Sequence, residues 1–340
     1  MEIDIRKNYK FLEFRLFPLS AILLFCLLFC PGAVTSAPVY AKEPILVIRT
    51  EGKDFEQAVR GIRQETEDDF SLNEMIVSRS SAAGEITGKI KEVSPGIVVL
   101  MDNISISLYR KYQAELPASA SPVPCVALMS SFMDIALKGI KNAAGIFYEV
   151  PLVTGVVNLR TIMPDVRFRK VGVIYRDLMA ASVKTNQTYC GKEQIGLTAY
   201  QIPGGGDIAS EIKKGLELLD KKDKIDALWI LNDSAMVNSG LLRDVWIPFA
   251  AEFEKPIIVG VEVLVQPEFR FGTFAVIPDH VELGVQAADM IYNIRKNSWK
   301  AGENEIRQPR SVYKIINMEQ AQRLFRIDKE KLNNVDKILE

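Results

Sequence analysis

From residue 44 onward the chain alternates short, wholly apolar runs with segments whose apolar residues recur every three or four positions. A run that is apolar on both faces suits a strand buried in a parallel sheet. The amphipathic segment after it suits a helix laid across that sheet, so the pattern restricts the chain to an α/β architecture. The runs 45–48, 75–77, 96–101 and 123–129 form a first series of strands. Helices between them are marked by Phe55, Val59 and Ile62, then by Ile86, Ile90 and Val93, and Thr154 to Met163 reads as a helix closing this first series. A second series starts at Lys170, with strands over 171–175, 198–202, 225–231, 256–261 and 273–277. Its helices run to about Gln194 and through Ile208, Ile212, Leu216 and Leu219. Asp279, with Glu282 three residues on, opens a further helix to about Arg295 in the manner of a capping box. A strand over 312–316 and a short helix over 319–325 end the pattern. Two such series predict two Rossmann-like lobes with parallel sheets joined by a hinge. Residues 42–167 would form the N-terminal lobe, with about 278–308 returning to it. Residues 168–277 and about 309–340 would form the C-terminal lobe.

The first 41 residues stand outside this alternation. Arg6, Lys7, Lys10 and Arg15 precede an apolar stretch from Leu16 to Cys30, too short for a comfortable membrane span. Pro31 and Gly32 follow, and the small residues Val39 and Ala41 stand where signal peptidase requires them, so cleavage is expected after Ala41 and the rest of the chain in the periplasm. Basic and acidic residues number 42 and 43, and with no broad positive field a nucleic-acid partner is not expected. Beyond the targeting segment two cysteines remain, Cys125 in an apolar strand and Cys190 at the end of a helical pattern, which predicts free thiols on separate lobes.

In parallel sheets ligands bind beyond the carboxyl ends of the strands, where loops converge and helix N-termini present backbone N–H groups. The residues that follow each apolar run are accordingly the candidates: Asp102 and Asn103, Ser130 and Ser131, Tyr175 and Arg176, Asn232, Asp233 and Ser234, and Glu262. Each position also suits a helix cap, but two facing lobes would set the whole group on opposite walls of one cleft. Asp233 follows a fully apolar strand and is placed to hold an ammonium group. Ser130 and Ser131, before a helix start, are placed to receive a carboxylate. The parts of acyl, phosphoryl and metal-dependent chemistry are missing: no Gly-x-Ser-x-Gly elbow, phosphate-binding loop or His-Glu-x-x-His occurs. The single histidine, His280, has no acid partner evident nearby in sequence. No enzyme, cofactor or metal is expected.

Several stretches resemble a known family: Pro122 to Val126, Val153 to Val156, Lys170 to Tyr175, Asp226 to Ser234, Pro256 to Val259, Glu282 to Gly284, and Ile315 to Ala321. Their order and spacing are similar to the substrate-binding proteins of ABC transporters that include bacterial tryptophan and tyrosine binders. The resemblance implies a type I periplasmic-binding fold. It also implies a monomer that passes a small molecule, such as an amino acid, to an inner-membrane permease. The head group would be held at Asp102 and Asn103, Ser130 and Ser131, and Asn232 to Ser234. The chain departs from the family at Ser130 to Phe132, where Thr-Asp-Pro is frequent, and at Val276 to Pro278, where a Tyr-Gly turn is usual. An exported sensing module that signals through a membrane partner is the alternative reading.

Overall fold

The computed structural model describes residues 41–340 apart from 165–166 and 303–304. The targeting segment expected over residues 1–41 falls, all but its last residue, outside this part.

Two sheets organise the described residues. The first contains β1 (Glu43–Arg49), β2 (Phe70–Ile76), β3 (Ile97–Met101), β4 (Cys125–Leu128), β5 (Ala143–Ile146) and β11 (Glu305–Arg307), ordered β11-β5-β4-β3-β1-β2. Every pairing in it is parallel. The second contains β6 (Lys170–Tyr175), β7 (Gly196–Gln201), β8 (Ala227–Trp229), β9 (Ile257–Val259), β10 (Phe274–Pro278), β12 (Val312–Asn317) and β13 (Lys337–Leu339), ordered β13-β12-β10-β9-β8-β6-β7. Only β10 with β12 is antiparallel.

Helices cover both faces of each sheet. On one face of the first sheet, α1 (Lys53–Thr66) and α10 (His280–Lys296) bury Ala58, Ile62, Leu283, Ala287 and Ile291 against Ile45, Val47 and Val99. On the other, α2 (Ala83–Val93), α3 (Asn103–Ala114) and the short α4 (Met133–Ala136) bury Ile86, Ile106, Tyr109 and Met133. The second sheet is flanked on one side by α5 (Leu152–Ile162), α6 (Ala180–Lys192) and α11 (Met318–Leu324). On its other side lie α7 (Ile208–Glu217), α8 (Ser239–Leu241) and α9 (Ile247–Glu252), with Trp246 filling the space before α9. Strand segments buried from both sides must be apolar, which is why β3, β4 and the middle of β1, Ile45 to Ile48, read as uninterrupted runs.

Helix α5 departs from the sequence expectation. Leu152, Val156, Leu159 and Ile162 pack with Val171, Val173 and Phe274, so α5 belongs to the second sheet and does not close the first. The chain therefore first passes between the lobes at 147–151, not near residue 167. It passes back between the end of β10 and the start of α10, and again between β11 and β12. Gly61 and Gly284 lie where α1 meets α10. A Cβ on Gly61 would stand 2.1 Å from the Val281 carbonyl oxygen, and one on Gly284 would stand 2.0 Å from that of Ala58. The two helices touch backbone to backbone.

Candidate functional site

In each sheet the strand order reverses beside its first strand: between β1 and β3 in the first, between β6 and β8 in the second. Loops diverge at such a switch point and leave a crevice outside the carboxyl ends. In this chain each switch point is spanned by an aspartate. After β3, Asp102 Oδ1 accepts the Ser105 N–H at 2.8 Å and so caps α3, while Oδ2 accepts the Thr50 hydroxyl at 2.6 Å across from the end of β1. After β8, Asp233 Oδ1 accepts the Ala235 N–H at 3.0 Å. Its two oxygens also accept from Arg176 at the end of β6, Oδ2 from Nε and Oδ1 from Nη2, both at 2.7 Å. The two aspartates occupy equivalent places and differ in partner, a neutral hydroxyl in one lobe and a guanidinium in the other.

This pairing alters the role expected for Asp233. Its side chain is 2% exposed and already carries a bidentate cation, so it presents no free carboxylate to an ammonium group. The group it presents instead is Arg176, 33% exposed, whose remaining N–H donors meet no protein acceptor among the described residues. Held flat by two short charge-assisted bonds, a guanidinium offers a planar donor edge matched to a carboxylate.

Beside Asp102, Asn103 clamps the backbone of Ser131: its amide Nδ2 donates to the Ser131 carbonyl at 3.0 Å and its Oδ1 accepts the Ser131 N–H at 3.1 Å. Ser130 is wholly buried and its hydroxyl donates to the Ser131 carbonyl at 3.3 Å, so the half-buried Ser131 is the serine nearer the surface. Asp102, Met129 and Phe132 all have positive φ (89°, 55° and 57°). Three non-glycine residues in this sparsely allowed region, gathered on one sheet edge, mark a backbone held in place by its surroundings. Glu149, just beyond β5, supplies part of that hold by accepting the Phe132 N–H at 2.9 Å, and burial raises its pKa.

In the second sheet's cluster Asn232 donates through Nδ2 to the Gly260 carbonyl at 3.2 Å, while its Oδ1 is buried and has no hydrogen-bond partner among the described residues. Ser234 is exposed, and Tyr175 donates its hydroxyl to Gln201 Oε1 at 3.1 Å. Glu262, after β9, accepts from Lys337 Nζ at 2.6 Å and Gln266 Nε2 at 3.2 Å. It lines a cavity of about 410 Å3 together with Asp54, Gln57 and Arg60 of α1, so residues of both lobes contribute to this cavity. His280 stands at its edge, 6% exposed. Its ring lies parallel to Tyr148 at 5.9 Å between centroids, with the phenol oxygen 3.0 Å from Nε2, and its Nδ1 is 3.6 Å from Asp54 Oδ1.

The structure thus brings the candidates into two clusters, Asp102, Asn103 and Ser131 at the strand ends of the first sheet and Arg176, Asn232 and Asp233 at those of the second. Glu262 sits farther along toward the inter-lobe cavity, and Tyr175 turns away along β7. No hydrogen bond joins the two clusters among the described residues. Asp54, Tyr148, Glu149 and Lys337 escaped the sequence reading. Of these only Asp54 carried a local signal, as an acidic residue in the first turn of the helix that follows β1.

A family model described as ABC transporter substrate binding protein matches residues 128–335. Among solved structures, the ABC domain in complex with L-Trp from Streptococcus pneumonia is 17% identical and superposes with a TM-score of 0.53, covering 87% of this chain and 100% of that one. The ligand-free, open structure of CD0873, a substrate binding protein with adhesive properties from Clostridium difficile, is 15% identical, with a TM-score of 0.63 and coverage of 88% and 99%. A conserved domain protein from Vibrio cholerae is 15% identical at a TM-score of 0.53, with coverage of 88% and 100%. No curated protein matches the sequence. At these identities the likeness establishes the shared two-lobed fold.

Proposed function

The chain belongs to the ABC transporter substrate-binding protein family, a family of solute binders and not of enzymes, and from that premise we propose that its lobes close on one small molecule bearing a carboxylate. The observation that carries this reading is the bidentate anchoring of Arg176 by the buried Asp233 at the switch point of the second sheet. A lone arginine on a loop would lose side-chain entropy on gripping a ligand. One already fixed by its aspartate has lost it in folding, so the ligand meets a preorganised donor. Asn103, Ser131 and Asp102 on the facing wall supply the polar groups for the other end of the guest, an amino group if it is an amino acid. Closure of two lobes is stabilised by contacts made only in the closed state, and the three chain crossings are the segments that would bend.

The captured molecule is handed to an inner-membrane permease driven by a separate ATPase, with the protein working as a periplasmic monomer after cleavage behind Ala41. The lobes divide at the crossings: 42–146 with 280–307, and 152–278 with 312–340. A thermal-shift screen over amino acids, short peptides, purines and sugars identifies the guest, since a ligand that binds only the folded protein raises its stability by mass action. Aromatic amino acids belong in it because one structural neighbour holds L-Trp. With the guest in hand, Arg176→Ala is expected to weaken calorimetric affinity by about 10- to 100-fold, the range of one charge-assisted contact. A best ligand without an anionic group, or a folded Arg176→Ala protein of unchanged affinity, would reject the carboxylate reading.

A further inference from the structure

His280 lies where two crossings meet. It follows Asp279, the cap of α10, directly after β10 leaves the second sheet. Tyr148, stacked on it, lies on the crossing that leaves the first sheet after β5. The contact between them therefore fastens two hinge segments together. Burial raises the Tyr148 pKa, so the phenol keeps its proton, and its oxygen shares a hydrogen bond with Nε2 at 3.0 Å. On the ring's other side Nδ1 faces Asp54 Oδ1 at 3.6 Å, too far for a hydrogen bond.

We propose that His280 is a proton-operated lock on the hinge: taking up one proton from solvent, it draws the two walls of the inter-lobe cavity together and favours the closed form. This rests on the reading that the lobes close on a guest, and it names a regulator of that closure. The charges around the ring set the direction. Asp54 and Arg60 come from α1 in the first lobe, and Arg60 is exposed to solvent. Tyr148 and Glu149 come from the first crossing, and Asp279 from the cap of the ring's own helix. From the second lobe come Glu262, Tyr313 and Lys337, the lysine being engaged by Glu262 at 2.6 Å. Burial lowers the His280 pKa in the arrangement observed, while Asp54, Asp279 and Glu262 act in the opposite sense. Asp54 and His280 belong to the first lobe and Glu262 to the second, and all three line the cavity. With the ring already 6% exposed and Asp54 held beside it by the packing of α1 on α10, closure adds little desolvation and brings nearer the one carboxylate of the second lobe, Glu262. The closed form therefore holds the proton more tightly than the open form, and by linkage acid favours closure. In the protonated ring Nε2 is a donor and the Tyr148 oxygen its acceptor, so the fastening survives protonation.

The test needs no ligand. As the chain's single histidine, His280 gives imidazole NMR signals that titrate alone in an untagged full-length protein. Small-angle scattering over about pH 5 to 8, the range in which histidine changes charge, follows the separation of the lobes. The expected result is a fall in radius of gyration on acidification, with its midpoint at the His280 titration. That fall should be lost in His280→Gln, and shifted to lower pH in Asp54→Asn, whose exposed side chain is not needed for folding. A radius that stays constant while His280 titrates, or compaction that persists in folded His280→Gln, overturns the proposal. If compaction follows His280 while no small molecule is captured, the lock stands and solute binding falls. If a guest is captured but the apo radius ignores pH, the reverse holds.

Discussion

At the scale of single residues, the two switch-point aspartates show how one sequence position can serve a cap and a cross-strand tie at once. Arg176 and Asp233 are unequal partners, since one is a third exposed and the other almost wholly buried. Arg176→Ala strands an ionised carboxylate in the interior. Asp233→Asn keeps an acceptor for both the Ala235 N–H and the guanidinium, and leaves an arginine that reaches water. Urea denaturation at neutral pH should therefore show Arg176→Ala the costlier change, about 2–4 kcal/mol against about 1–2 kcal/mol, both discounted for the arginine's exposure. The reverse order would mean that the cap, not the ion pair, dominates. The thiols give a second residue-scale expectation. Cys125 and Cys190 are buried in separate clusters, and burial raises both pKa values, that of Cys190 to about 11. Thiolate is then scarce and inaccessible at neutral pH. Alkylation followed by peptide mass spectrometry should leave both positions unmodified in the folded protein and modify both in denaturant. The candidate positions were legible because apolar runs end visibly in polar residues, whereas their pairing was not. Thr50 meets Asp102, and Arg176 meets Asp233, only through a strand order that skips neighbours in sequence. His280 likewise gains Asp54 and Tyr148 from distant segments, so no local pattern near residue 280 could have announced them.

At the scale of elements, the contact of α1 with α10 is the tightest helix pairing that the glycines disclose. Gly284 lies within a stretch that carried the family resemblance, Glu282 to Gly284, and the fold supplies the physical reason for a glycine there. A methyl group at that point would meet a carbonyl oxygen of the partner helix at 2.0 Å, and backbone cannot step aside as a flexible side chain can. Gly284→Ala should force the helices apart and cost about 1–3 kcal/mol despite alanine's better helix propensity. A denaturant midpoint equal to or above that of the unaltered protein would show that the helices separate without penalty. Elements with strong local signals were read well from sequence: β1 and β3 from unbroken apolar runs, α10 from the Asp279 cap, which accepts the Val281 and Glu282 N–H groups. Those shaped by position in the sheet were not. Strand β2 starts at Phe70, five residues before the run at 75–77, because an edge strand tolerates Ser71, Asn73 and Glu74. Strand β5 is Ala143, Ala144, Gly145 and Ile146, small residues that pack closely; a Cβ on Gly145 would stand 2.8 Å from Leu137. Helix α5 was recognised, but amphipathicity states only that a face is buried and not against which sheet.

At the scale of the whole molecule, neither lobe is a continuous stretch of chain, and this bears on how the protein folds. The first lobe needs α10 and β11 from beyond residue 279, and the second needs β12 and β13 from beyond residue 311. A fragment ending at residue 167 contains β1 to β5, yet it lacks the helix that buries Leu283, Ala287, Met290, Ile291 and Ile294 against α1 and the sheet. Burying these side chains contributes on the order of 8–12 kcal/mol at the usual value per apolar residue, comparable to the whole stability of an ordinary domain. The fragment 42–167 also carries α5, whose apolar face would have lost the second sheet and would lie open to water. It should therefore lack a cooperative thermal transition and show little amide protection in β1 and β3. Adding α10 as a separate peptide spanning 278–308 should restore protection in those strands, because the peptide brings back the Gly61–Gly284 contact and the covered sheet face together. Hydrogen exchange with mass spectrometry reads both outcomes. A fragment 42–167 that unfolds cooperatively by itself would show the first lobe to be self-sufficient. The chain crossings would then be hinges only, and not also the means by which each lobe completes the other.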